Sequence, residues 1–79
     1  MKDLNKFLED NKDLIEENGK LDLHSLLCVL ECYDWGTFFL KSVSVKNNGF
    51  TYYLLEREED FELFTLREWD RCGYGYNFV

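Results

Sequence analysis

The hydrophobic pattern changes period between Gly36 and Thr37, and this switch constrains the fold more than any motif in the chain. Before it, Leu4, Phe7, Leu8, Leu14 and Ile15 recur at helical spacing and fall in one stripe at about 100° per residue. Asp3 supplies an N-cap and Asn18-Gly19 the left-handed residues that end helices, so the spacing predicts a first helix from Asp3 to Asn18. Asp22 then caps a second helix in which Leu23, Leu26, Leu27, Leu30 and Tyr33 form a wide apolar face, broadened by Val29. That helix is expected to stop near Asp34-Trp35-Gly36.

From Thr37 onward β-branched and aromatic residues alternate with polar ones, the signature of strands. Asn48-Gly49 predicts a two-residue type I′ hairpin, which sets Val45 opposite Tyr52, Val43 opposite Leu54 and Lys41 opposite Glu56. A slip of one residue would instead place the valines opposite Thr51 and Tyr53 and lose the charge pair. A second turn at Glu58-Glu59-Asp60 leads into a third strand, Phe61 to Trp69, with Leu54 facing Phe64 and Tyr52 facing Leu66. This register sets Glu56 against Glu62, a like-charge pair that costs a few tenths of a kcal/mol, roughly, unless Lys41 or Arg57 relieves it. The tail from Cys72 to Val79 either adds a fourth strand or wraps loosely.

The expected fold class is therefore α+β, with two N-terminal helices packed on one face of a three- to four-stranded antiparallel sheet in the order α-α-β-β-β. The first sheet face would carry Phe39, Val43, Val45, Tyr52, Leu54, Phe64 and Leu66 beneath the helices. The second would carry Leu40, Tyr53, Leu55, Phe61, Leu63 and Trp69, too apolar for plain solvent surface and so either an interface or covered by the tail or a helix. At 79 residues there is material for one core only, so residues 1–79 read as a single domain, a helical hairpin over 1–36 and a sheet with its tail over 37–79. An aromatic content of 18% lets so short a chain bury enough area to fold.

The formal net charge of -7 divides as -2 over residues 1–20, -3 over 21–36, +2 over 37–55 and -4 over 56–79. Such a polyanion repels phosphate backbones and anionic membranes, so no direct nucleic acid and no membrane partner is expected. Its field steers in basic protein surfaces. Three cysteines without framework spacing and no N-terminal signal region point to a reduced, cytoplasmic setting.

Few side chains suggest chemistry. His24, Cys28 and Cys32 follow one another at intervals of four, on one helical face. At about 1.5 Å rise per residue the outer two lie roughly 12 Å apart, too far to share a zinc ion, so only an adjacent pair could do so. His24 does not lie on the same side of a helix as Ser25, so the two form no dyad. No glycine loop cradles a phosphate, and so short a chain can hardly wall a cleft for paired catalytic carboxylates. Neither an enzyme nor a cofactor or metal site is expected. The Gly73-Tyr74-Gly75-Tyr76 tail with Arg67, Arg71 and Trp69 has the makings of a base-stacking surface, but Glu68 and Asp70 interrupt its cations.

The acidic arrays remain. Glu9, Asp13 and Glu16 lie opposite the apolar stripe of the predicted first helix with Asp10 and Glu17 beside them, and Glu56, Glu58, Glu59, Asp60 and Glu62 cluster around the second turn; Glu9, Asp13, Glu16, Glu17, Glu58, Glu59 and Asp60 are the candidate contacts. The same residues also read as an ordinary solvated face, since Lys12–Glu16 and Glu16–Lys20 are i,i+4 pairs that support a helix alone. The functional expectation is a small acidic protein-binding inhibitor that occludes a basic, nucleic-acid-handling site on a partner, possessing the strategy of anti-defence, anti-CRISPR or immunity proteins and in part of a nucleic-acid mimic. In that reading the carboxylates set encounter while Tyr53, Trp69 and Tyr74 supply lasting contact. The alternative is a homodimeric assembly or adaptor module joined through the second sheet face. A third reading is metal-dependent or hydrolytic activity through His24 and Cys28.

Overall fold

The computed structural model describes residues 3–46, 49–69 and 75–79. It is an α+β fold whose main sheet has four antiparallel strands, with a separate two-stranded ribbon. The elements run α1 (Leu4–Asp10), α2 (Lys12–Ile15), β1 (Glu16–Glu17), β2 (Lys20–Leu21), α3 (Leu23–Cys32), β3 (Phe38–Val45), β4 (Phe50–Arg57), β5 (Leu63–Trp69) and β6 (Gly75–Phe78).

The expected first helix is thus two short helices and a strand. Asp3 caps α1 as anticipated, its carboxylate accepting from the backbone of Asn5 and Lys6 at 3.0 and 3.1 Å. The break falls at Asn11, whose side chain donates to the Phe7 carbonyl at 2.9 Å. The Asn11 N–H donates to the same carbonyl at 3.1 Å, so backbone and side chain of this C-cap residue together close the last turn of α1. The apolar stripe survives the break, because Leu8 and Ile15 both reach the core. Asn18 and Gly19, with φ of 56° and 77°, form the loop of a tight hairpin closed by Glu17 opposite Lys20. A dipeptide with φ positive at both positions fits the two-residue hairpin turn, so this Asn-Gly reverses a strand where it was expected to end a helix. Residues 3–36 therefore hold three helical segments, with the ribbon between the second and the third, where a helical hairpin was expected over 1–36.

The sheet order is β3-β4-β5-β6, and the tail's fourth strand is present. The register between β3 and β4 is the slipped alternative: Val45 pairs with Thr51 and Val43 with Tyr53. Its origin is the loop. Lys46 N–H donates to the Phe50 carbonyl at 2.9 Å and Gly49 N–H to the Lys46 carbonyl at 3.2 Å, so three residues rather than two separate the paired ends. Gly49, at φ 88°, takes the positive-φ position that a three-residue loop requires, while Asn48 lies outside the described residues. The Lys41–Glu56 charge pair persists at 3.3 Å even so. A register shift between Leu40 and Ser42 makes Lys41 the extra residue of a β-bulge, beyond which Phe39 pairs with Glu56.

The β4–β5 register also differs by one, with Leu55 opposite Phe64, Tyr53 opposite Leu66 and Glu56 opposite Leu63. The expected faces are redistributed accordingly. Leu55 and Leu66 are fully buried and join Phe38, Leu8, Ile15, Leu26 and Leu30 in the core, with Tyr53, Phe64, Tyr76 and Phe78 packed against it. The opposite face carries Phe39, half exposed, and Leu63, 56% exposed, in the row of Glu56. The tail extends the sheet at the β5 edge, and β6 reaches α1 through Asn5, whose side chain accepts from Phe78 N–H at 2.6 Å and donates to the Phe78 carbonyl at 3.1 Å.

Candidate functional site

Where α3 ends, the chain turns through Asp34 and Gly36, both at positive φ, and enters β3 beside the β4–β5 turn. Two hydrogen bonds clasp these segments: Glu58 N–H donates to the Thr37 carbonyl at 2.8 Å, and Thr37 N–H donates to Glu59 Oε1 at 2.9 Å. Between them lies an open groove of ≈ 460 Å³, lined by Glu31, Asp34, Trp35, Gly36, Thr37, Arg57, Glu59 and Asp60. Four carboxylates thus face one guanidinium.

That guanidinium organises the groove. Arg57 donates to both Asp60 carboxylate oxygens, the shortest contact being 2.7 Å, to Glu62 Oε2 at 2.6 Å and to the Trp35 carbonyl at 3.2 Å. It also lies 5.0 Å from the Phe64 ring centroid and 5.8 Å from that of Phe38, so it rests on the aromatic edge of the core. The Asp60 carboxyl is lowered to about 2, first by the hydrogen bond from Arg57 and then by that from Glu62 N–H. The Arg57 pKa is raised, chiefly by the hydrogen bond to Asp60. With Asp60 and Glu62 engaged by Arg57, Glu31, Asp34 and Glu59 make the rest of the lining acidic, suited to a lysine or arginine side chain.

At the rim of the turn, Phe61 N–H donates to the Arg57 carbonyl at 2.9 Å and holds Phe61 at φ 60°. A bulky residue there is an outlier. The residue is 73% exposed.

Comparison with protein-family models, curated proteins and solved structures returned no match.

The carboxylates expected on one helix are dispersed. Glu9 lies on α1 and Asp13 on α2, both exposed, while Glu17 is exposed on β1. Glu16 turns inward, accepting from the Tyr76 hydroxyl at 2.5 Å with Lys12 at 3.9 Å. Burial, then that hydrogen bond, pushes the Tyr76 hydroxyl well above the ordinary 10.0, helped by the charges of Glu16, Glu68 and Glu9. Glu58, Glu59 and Asp60 do sit together at the β4–β5 turn, Glu58 exposed and the other two at the groove. Tyr53 is not on an outward face: it packs against the core and donates to Glu68 Oε1 at 2.7 Å, and burial followed by that bond raises it to about 12. Trp69 pairs with Phe50 and Gly75 in the sheet, and Tyr74 lies outside the described residues.

Glu31, Asp34, Trp35 and Arg57 were not anticipated as a site. The Asp34-Trp35-Gly36 signal marks a helix end, and only the return of the β4–β5 turn makes it one wall of a groove. Among the described residues, no group of three or more metal-ligating side chains converges and no helix is long and apolar enough to cross a membrane.

Proposed function

We propose that the chain is a small acidic protein-binding inhibitor that occludes a basic, nucleic-acid-handling site on a partner, the strategy of anti-defence, anti-CRISPR and immunity proteins. The observation that carries this reading is the groove, in which Glu31, Asp34 and Glu59 stand beside an Arg57 already engaged by Asp60 and Glu62. A cationic side chain of the partner enters the groove, and the exposed Phe61, next in sequence to Asp60 of its lining, supplies the apolar anchor. The binding surface moves accordingly from the first helix to the end of α3 and the β4–β5 turn. Glu9, Asp13 and Glu17 contribute long-range attraction, which raises the encounter rate and weakens with salt.

The test is capture from host lysate at low and at high salt, followed by nucleic-acid-binding assays on each retained protein. The expected result is a basic protein whose nucleic-acid binding is blocked by the wild-type chain and restored by Glu31→Lys with Asp34→Asn, substitutions at two exposed groove residues. Retention of only neutral or acidic proteins, or capture indifferent to ionic strength, would defeat the reading.

A further inference from the structure

The exposed side of α3 holds a donor pair that the groove does not use. His24 Nε2 and Cys28 Sγ lie 3.8 Å apart, one helical turn from each other, and both residues are exposed. Zinc-class ions bind thiolate at about 2.3 Å and imidazole at about 2.0–2.1 Å, so in a tetrahedral site these two donors stand about 3.6 Å apart. The pair is therefore spaced for chelation by the helix itself, with no more than a small rotamer adjustment. Cys32, one further turn along, stands roughly 12 Å from His24 along the axis and cannot join it on one ion.

We propose that His24 and Cys28 are half of a metal site that a second copy of this chain completes. Two donors leave two tetrahedral positions open, and no third ligand converges on them among the described residues. A two-fold axis through the ion brings the second copy's own imidazole and thiolate into those positions, giving two sulfur and two nitrogen donors, a donor set typical of closed zinc sites. Binding converts two thiols to thiolates and releases two protons to solvent for each ion bound, and the two thiolates neutralise the dication. The net charge of -7 on each chain opposes the pairing, so salt strengthens it, opposite to the salt response of a basic partner. This inference does not rest on the inhibitor reading, since the two sites share no residue.

Cadmium added to the full chain under a non-thiol reductant tests it. The expected result is an ultraviolet thiolate-to-cadmium band saturating at one ion per two chains, with elution shifting from monomer to dimer and back on adding chelator. Cys28→Ser removes the band and the dimer, and His24→Gln removes the dimer. Cys32→Ser and Cys72→Ser leave both intact. Far-UV circular dichroism confirms that the variants fold; His24, Cys28 and Cys32 are all exposed on α3. Saturation at one ion per chain without dimerisation, an unaffected His24→Gln protein, or loss of the band in Cys32→Ser would each overturn the proposal.

Discussion

The Tyr76 hydroxyl donates to Glu16 Oε1 at 2.5 Å, joining residues sixty positions apart. The bond ties the last strand to the ribbon between the helices, and Glu68, which accepts from Tyr53 and from Leu21 N–H, adds a second tie between sheet and ribbon. Both tyrosines hold their protons more tightly in the folded chain than the ordinary 10.0, Tyr53 up to about 12. Above pH 10 the unfolded chain binds fewer of these protons than the folded one, so stability falls as pH rises. Their contribution is complete below about pH 10 and declines as pH rises through the folded-state values. Urea midpoints measured across this range should fall with pH, and more shallowly in Tyr53→Phe with Tyr76→Phe. At neutral pH, Tyr76→Phe should cost about 1.5–3 kcal/mol, since a half-buried carboxylate loses its donor.

Arg57 links the groove to the core, and its loss should be felt in both. Arg57→Lys keeps the charge but gives up the planar fork that serves Asp60, Glu62 and the Trp35 carbonyl at once, as well as the stack on Phe64. A destabilisation of about 1–2 kcal/mol by urea unfolding is expected from the lost stacking and hydrogen bonding. The acid limb reports the same contact. Asp60 titrates near 2 when folded against an ordinary 3.8, so its contribution is present above about pH 4 and is lost as pH falls toward 2. Asp60→Asn should flatten the stability profile across that window. An unchanged slope would show that other carboxylates govern the acid response.

Leu54-Leu55 and Tyr52-Tyr53 explain why so much of the sheet, yet not its faces, was legible in the sequence. Period-two runs placed β3, β4 and β5 along the chain, but doubled leucines and tyrosines satisfy either register equally well. A single-residue slip reverses every face. The deciding facts were a three-residue loop where Asn48-Gly49 suggests two, and a bulge at Lys41 that restores the Glu56 pair after the slip. Helix ends behaved similarly. Leu14 and Ile15 continue the stripe of Leu4 and Leu8, so hydrophobic spacing gives no sign of the break at Asn11. The groove was least legible because its walls come from residues 31–37 and 57–60, which only the folded sheet brings together.

Phe61 sits where a small residue would be more stable. A non-glycine residue at φ near 60° costs roughly 1–2 kcal/mol, and a residue 73% exposed recovers little by burial. Phe61→Gly should therefore leave the isolated chain as stable as wild type or more stable by about 1 kcal/mol, after allowing for glycine's freedom in the unfolded state. Partner capture by the same protein should fall sharply, because the anchor is gone. A variant that gains stability and loses binding separates a contact surface from a folding requirement. A clear loss of stability would instead place the ring in an intramolecular role.

Gly36 is where the groove can be altered without touching a charge. Its φ of 122° is one that L side chains rarely adopt, and an added Cβ would stand 2.6 Å from Glu59 Oε2, 2.7 Å from Arg57 Cδ and 3.1 Å from Arg57 Cγ. The Glu59 carboxylate is the far end of a side chain and can swing away, at the expense of its bond from Thr37 N–H. Arg57 cannot easily do so, since Asp60, Glu62 and the Trp35 carbonyl fix its head while Phe64 supports its plane. Gly36→Ala thus forces a choice between a strained turn and a displaced guanidinium. A cost of about 1–3 kcal/mol by urea unfolding is expected. If the guanidinium moves, Asp60 loses its main stabilising contact, and its carboxyl should titrate closer to 3.8 in the variant, readable by side-chain NMR. An unshifted Asp60 beside a destabilised fold would assign the whole penalty to the Gly36 backbone and leave the Arg57 clamp intact.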